Sequence, residues 1–266
     1  MLSTVLHGFR RFPELLAARR KTSVAYELAA RYVGGGDFFR YPFDVPLYDG
    51  GLLRVRSAGE VRVFWQIFVC ECYRLWSDCR TIVDAGANIG MFSVWAAKQL
   101  PEARILALEP YPETFSNLQY NLRANHLDAQ VKAIQVALSS QSGERTMLSD
   151  GESQRRRLVP ADEITAEERV VRVPCVSLAD LAGRWELKQI DLLKMDIEGS
   201  EWEVLFSTPA AVLQLIQRIQ FEYHEVHARF GYSREKLFAH LQNVGYSITY
   251  CREDVHHTGI AIAERR

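Results

Sequence analysis

No pair of cysteines in this sequence has the CxxC spacing of a zinc ligand set or a redox couple, and the total of five, Cys70, Cys72, Cys79, Cys175 and Cys251, is odd. A disulfide framework and a zinc site are therefore not expected, and a reducing compartment suits the chain. Also missing is a run of about 18 apolar residues such as a spanning helix needs, so no stable membrane insertion is expected. The opening "MLSTVLHGFRRFPELLAARRKTS" has a short apolar stretch but no small-residue cleavage site; it does not read as an export signal, which points to the cytoplasm. Net charge is nearly absent: 32 basic against 33 acidic residues leave −1, which supplies no long-range field toward nucleic acid or an anionic membrane. Arg10, Arg11, Arg19, Arg20 and Lys21 cluster, as do Arg155, Arg156 and Arg157, but no stacking aromatics interleave them. They read as solvated faces, and no nucleic-acid partner is expected.

What is present is an ordinary globular composition, 48% hydrophobic and 24% charged over 266 residues, enough for one large domain with an extension or for two unequal lobes. Residues 9–33 carry apolar positions at helical spacing, and "GGG" ends them. The proline- and aromatic-rich stretch after it suggests an irregular wrap and a hairpin around "YDGG". Residues 61–76 read as a buried helix, with a strand as the alternative because aromatic and β-branched residues abound. After Arg80, strands alternate with helices, the pattern of a parallel sheet covered on both faces. Strands are expected at "TIVDAG", "RILALEP", "VKAIQVALS", "IDLLKMDI", "RIQFEYHE", "YSITYCRE" and "GIAIAER"; helices at "MFSVWAAKQL", "PETFSNLQYNLRANH", "SEWEVLFSTPAAVLQLI" and "SREKLFAHLQNV", the last capped by Ser233 and followed by Gly245. Residues 139–174 are too long and polar for a simple connection and suggest a lid or an inserted hairpin. The two closing strands are close enough to require an antiparallel edge pair.

"VDAGANIG" occupies the turn after the first strand of that sheet, where a doubly wound fold holds its ligand. A dinucleotide fingerprint starting at Gly86 would need glycines where Asn88 and Met91 stand. An asparagine side chain would occupy the pyrophosphate position, and a methionine would hold the helix off the strand. Asp84, Gly86 and Gly90 suit instead a ligand without phosphates, of which S-adenosylmethionine is one. Glu109 ends the next strand about 20 residues on, the distance at which a carboxylate meets ribose hydroxyls.

"VDAGANIGMFS", "ALEPYPETFSNLQYNLRAN", "DLLKMDIEGSEWEVL" and "IQFEYHE" together resemble the FkbM family of S-adenosylmethionine-dependent methyltransferases, from about Val61 to the end of the chain. The resemblance implies a Rossmann-like class I methyltransferase fold: a seven-stranded, mostly parallel sheet in the order 3-2-1-4-5-7-6, last strand antiparallel, with helices on both faces. It implies O-methylation of a hydroxyl on a sugar, polyketide or related metabolite, so the expected partner is a small-molecule or glycan acceptor. Carried over by position, Asp84, Gly86, Asn88 and Gly90 form the cofactor loop and Glu109 holds the ribose. Adenine falls to backbone near Ala137 and Leu138 or to Ser139, and Glu71 is placed at the methionine ammonium. Residues 1–60 lie outside the family pattern and are expected to be a helical extension, either capping the substrate cleft or making a homodimer contact, with residues 61–266 as the methyltransferase domain.

Methyl transfer to oxygen needs alignment, exclusion of water and removal of one proton. In "LLKMDIEGSE", strand alternation puts Lys194, Asp196 and Glu198 on one side. Asp196 is expected nearest the reacting methyl group, with Lys194 pairing with it or orienting the substrate. On the next strand Glu222 and His224 share a face, and His224 ranks ahead of Asp196 as general base. Asp196, Glu222 and His224 are residue types that magnesium accepts, yet the acid spacing differs from that of metal-dependent methyltransferases, so no metal is assigned. Alternatives to the oxygen acceptor are a nitrogen acceptor and a non-catalytic cofactor-binding protein of the same fold.

Overall fold

The computed structural model describes residues 12–34, 39–149, 157–159, 169–224, 233–253 and 258–266. Its centre is a seven-stranded sheet of β3 (Thr81–Ala85), β4 (Arg104–Leu108), β5 (Val131–Ile134), β10 (Leu192–Met195), β11 (Arg218–His224), β12 (Tyr246–Glu253) and β13 (Thr258–Arg265). Their spatial order is β12-β13-β11-β10-β3-β4-β5. Only β13 runs antiparallel to its neighbours, so counting these strands by appearance reproduces 3-2-1-4-5-7-6. This is the class I methyltransferase architecture, and the strand order reverses between β3 and β10.

Alternation divides the core in two. Ile82, Ile105 and Leu192 point into one apolar cluster, and Val83, Leu193, Ile219 and Phe221 into the other, as expected for strands buried on both faces. The first cluster is closed by α4 (Met91–Gln99) and α5 (Pro112–Ala124), the second by α7 (Glu201–Ser207), α8 (Ala210–Leu213) and α9 (Arg234–Asn243). Helix α5 begins with Pro112 at its first turn, where the missing N–H costs nothing. The Ser233 cap on α9 is observed, its hydroxyl accepting from Lys236 N, and Gly245 follows with φ 101°.

The described part of residues 1–60 packs onto this sheet domain. α1 (Phe12–Arg19), α2 (Ala25–Gly34) and the expected hairpin of β1 (Phe43–Pro46) and β2 (Leu52–Val55) place Ala18, Leu28, Val45 and Leu53 in the first cluster. A stripe of asparagines on α5 docks the hairpin. Asn121 Oδ1 accepts from Arg54 N, and Asn125 accepts from Leu52 N and donates to Leu52 O. The edge of β2 thus finds its hydrogen bonds in side chains rather than in another strand. Asn121 also donates to Ile89 O at 2.8 Å, which ties the hairpin to the glycine turn.

Four local expectations need correction. The helix expected over 61–76 stops at Val69, as α3 (Ala58–Phe64) followed by a π-helical turn, Trp65–Val69, and residues 70–76 form neither helix nor strand; such a wide turn is often found at functional sites. The expected strand 131–139 breaks after Ile134, and β6 (Ala137–Leu138) leaves to join a second sheet. The helix expected over 200–216 is interrupted at Thr208, because Pro209 has no N–H to give and forces its predecessor extended, ψ 124°. An unforeseen α6 (Leu178–Arg184) starts at Ser177, whose hydroxyl accepts from Asp180 N.

Between β5 and α6 the chain builds a four-stranded sheet in the order β6-β9-β7-β8, from β6, β7 (Gly143–Leu148), β8 (Leu158–Val159) and β9 (Val170–Val176). Within it β7 pairs antiparallel with β9 on one side and with the intervening β8 on the other, so the inserted segment is a small sheet rather than a simple hairpin. Arg145 secures it to the main domain, donating to Ser139 Oγ and pairing with Glu203 of α7.

Candidate active site

At the carboxyl end of β3 the chain turns through Gly86 (φ 72°), Asn88 (φ 50°) and Gly90 (φ 87°) into α4. Both glycines serve close packing. A Cβ on Gly86 would lie 1.8 Å from the carbonyl oxygen of Asp196, and one on Gly90 would lie 2.6 Å from Leu118 Cδ1. Asn88 fits the left-handed position that asparagine tolerates, its side chain accepting from Ile89 N and its own N–H donating to Glu109 Oε2 at 3.0 Å. The other oxygen of Glu109 accepts from Tyr111 N. The two bonds orient this buried carboxylate at the mouth of β4.

The turn opens onto a cleft. Of the residues singled out in the sequence, Gly86, Asn88, Glu109, Ala137, Lys194 and Asp196 line it, together with Leu138. Met147 and Leu158 of the inserted sheet wall one side; Gln66, Ile67 and Tyr73, in and just beyond the π turn, wall another.

Parallel register explains the polar floor. Asp84 on β3 pairs with Lys194 on β10, and Lys194 with Gln220 on β11, so three polar side chains form one buried row. Lys194 Nζ lies 3.0 Å from Asp84 Oδ1, their side chains 4% and 0% exposed, and donates to Gly86 O at 3.0 Å. Asp84 also accepts from Ser93 Oγ on α4. Burial pulls the Lys194 ammonium down, but the Asp84 and Asp196 carboxylates more than offset it and hold its pKa above the ordinary value. Gln220 accepts from Arg74 N, which anchors the segment carrying Tyr73 across the row. Tyr73 lies over Lys194, packs edge-on against Phe92, and donates its hydroxyl to Asp196 Oδ2 at 3.3 Å. Burial, then Asp196 and Glu222, raise the Tyr73 phenol well above its usual range. Burial first and Glu222 second push the neighbouring Cys72 thiol up to about 12; Glu222 itself does not line the cleft.

Several expected assignments change. Asp84 and Gly90 shape the turn from beneath without bordering the cleft. Lys194 is committed to Asp84 and the glycine turn. Ser139 is held by Arg145 instead of facing the cleft. Strand β10 stops at Met195, so alternation does not govern the residues beyond it: Ile197 and Glu198 both reach the cleft. Glu71 is 54% exposed and paired with Lys21 at 2.8 Å, outside the cleft. Glu71→Gln is therefore expected to leave cofactor affinity within about twofold and stability within roughly 0.5 kcal/mol, as titration and urea unfolding would read. The side chain of His224, and His256 and His257, lie outside the described residues. Tyr73, Met147 and Leu158 were not anticipated. Tyr73 has no local signature, whereas the apolar positions in "ERTMLS" and "LV" are the only hint of the inserted sheet's contribution.

The model of the methyltransferase FkbM domain matches residues 84–248. This chain belongs to the FkbM methyltransferase family. It is 31% identical to methyltransferase sdnD of Sordaria araneosa over 72% of this chain and 84% of that protein. Identity is 28% with 31-O-demethyl-FK506 methyltransferase FkbM of Streptomyces tacrolimicus, over 76% and 88%. The crystal structure of methyltransferase FkbM from Methylobacillus flagellatus KT aligns at 14% identity and a TM-score of 0.47, covering 90% of this chain and 59% of that one. Among the described residues, no helix of this FkbM family member is long and apolar enough to cross a membrane.

Proposed function

We propose that this FkbM family methyltransferase takes its methyl group from S-adenosylmethionine and delivers it to a hydroxyl of a sugar, polyketide or related small metabolite. The cleft fits the donor by charge. Among the described residues, Glu109 and Asp196 border it as carboxylates and Lys194 as its one cation, whose charge is already balanced by Asp84. A sulfonium is welcome there and a diphosphate is not. Glu109 accepts the ribose hydroxyls, Ala137 and Leu138 flank the adenine, and Met147 and Leu158 exclude water from it. When bound, the donor supplies an activated methyl group.

The observation that carries the oxygen acceptor is Asp196. It is a half-buried carboxylate next to the glycine turn, outside the Asp84–Lys194 pair, with one oxygen fixed by Tyr73. A group so held can take the proton of an acceptor hydroxyl as the new bond forms. The name of the Streptomyces relative, with a 31-O-demethyl compound as substrate, supports the same reading. A nitrogen acceptor would need this base less.

Calorimetric titration with S-adenosylmethionine and S-adenosylhomocysteine tests the cofactor. Glu109→Ala is expected to weaken both by about 100-fold, the loss of charge-assisted hydrogen bonds worth roughly 1.5–3 kcal/mol each, with the circular dichroism spectrum retained. Unchanged affinity would remove Glu109 from the site.

A further inference from the structure

Glu198 occupies a backbone position that side chains rarely adopt. It has φ 53°, and Gly199 after it has φ 98°, so two successive left-handed residues reverse the chain beyond β10. Buried Glu201 staples this turn from both sides, accepting from Ile197 N at 2.7 Å and Gly199 N at 2.8 Å. Held in this way, Glu198 borders the cleft together with Asp196 and Gly86. Unusual backbone persists where the surroundings over-determine it, and it clusters at active sites, ligand clamps and switch regions.

The sheet order says which end of a ligand Glu198 meets. Glu109 stands at the end of β4 on one side of β3, and Glu198 comes after β10 on the other. A nucleoside laid across the glycine turn with its ribose on Glu109 directs its other end toward Glu198. Among the described residues, the charged groups facing Glu198 are Lys194 from β10, Asp196 just beyond it and Glu201 from α7. Burial first, then Asp196 and Glu201, push its carboxyl up to about 9, so at neutral pH it carries a proton until a cation arrives.

We propose that Glu198 is the carboxylate that pairs with the ammonium of the amino-acid end of S-adenosylmethionine, and that the pairing expels the Glu198 proton to solvent. The inference rests on S-adenosylmethionine being the cofactor. Its test is calorimetry between pH 6 and 7, below the range of the ligand's own amine, in buffers of different ionisation enthalpy. The ligands are S-adenosylmethionine, S-adenosylhomocysteine and 5′-methylthioadenosine, which lacks the amino-acid end. Expected is release of close to one proton with the first two and none with the third, the affinity for the first two rising by up to about tenfold per pH unit. Glu198→Gln should release none and bind S-adenosylmethionine at least about tenfold more weakly, yet melt about 3 °C higher at pH 8. The sign follows because the folded state holds a proton that the unfolded chain gives up between the ordinary carboxylate range and about 9, a loss of stability with rising pH that the amide removes. Tight binding of S-adenosylmethionine without proton release by the parent chain overturns the proposal, whether or not the variant folds. Equal proton release by parent and variant overturns it too, as does release with S-adenosylmethionine alone, which would assign the sulfonium. Binding of none of the three ligands would sink the cofactor reading itself, a separate failure.

Discussion

Lys194→Met should lower the free energy of unfolding by about 3–5 kcal/mol. The substitution keeps the length of the side chain and removes its charge, so the loss is electrostatic rather than a cavity. It strands the carboxylate of Asp84, fully buried, and leaves Gly86 O without its donor at the tightest point of the turn. An uncompensated charge in that position has no route to water. The double variant Asp84→Asn/Lys194→Met should recover at least half of the loss, since the amide is neutral and still accepts from Ser93 Oγ. Urea unfolding of the parent, both single variants and the double variant closes the cycle, and a cost under about 1 kcal/mol for Lys194→Met would show that the pair is not the floor of the site. Because the folded-state ammonium titrates above its ordinary value, its contribution is complete below the unfolded pKa and is lost only as pH climbs through the higher folded value. Stability from this pair should therefore be flat across neutral pH.

Asp196→Asn should reduce turnover by about 10²- to 10⁴-fold, the range for removing a positioned general base, while cofactor Kd rises by less than about tenfold. The two readouts separate if the proposed roles hold, because the cofactor then keeps Glu109, the glycine turn and the inserted sheet while the acceptor loses the group proposed to take its proton. An asparagine still accepts from the Tyr73 hydroxyl, so the wall of the cleft stays in place. Single-turnover methyl transfer to an acceptor found by screening hydroxylated metabolites measures the step without product release. Parent-like turnover in Asp196→Asn together with a large loss in His224→Ala would move the base to β11 and remove Asp196 from the proton transfer.

The glycine turn was readable because its chemistry is local. Glycines at 86 and 90, Asp84 on the strand and Glu109 at the end of the next one follow from one βαβ unit. Alternating strands and helices likewise foretold a parallel sheet, and family resemblance its order. The misread elements fall into two groups. Pro209 and Ser177 carried their signals openly, a missing donor and a helix cap. The π turn at Trp65–Val69 and the departure of Ala137–Leu138 into a second sheet had none, since both depend on what packs against them.

The site was legible in part for the same reason. Asp196 and Lys194 stood on a strand whose polar residues had to face a cleft or one another, but the choice lay in the register. Asp84 sits beside Lys194 only because β3 and β10 are parallel neighbours, and the same strand pairing lets Lys194 reach Gly86, 108 residues away. Glu71 looked like an acid ahead of the first strand; Lys21, 50 residues earlier, holds it at the surface. Tyr73 reaches Asp196 across 123 residues, a meeting that no spacing rule encodes.

By itself, the amino-acid order determined the periodicities, the place of the glycine turn after the first strand of the sheet, and the carboxylates available at the ends of consecutive strands, because these depend on relations within a few residues. Only the tertiary structure decided which carboxylate faces the cleft, which is spent on Lys194 and which is forced through a left-handed turn, because past the end of a strand a side chain's direction is set by the elements that happen to lie against it.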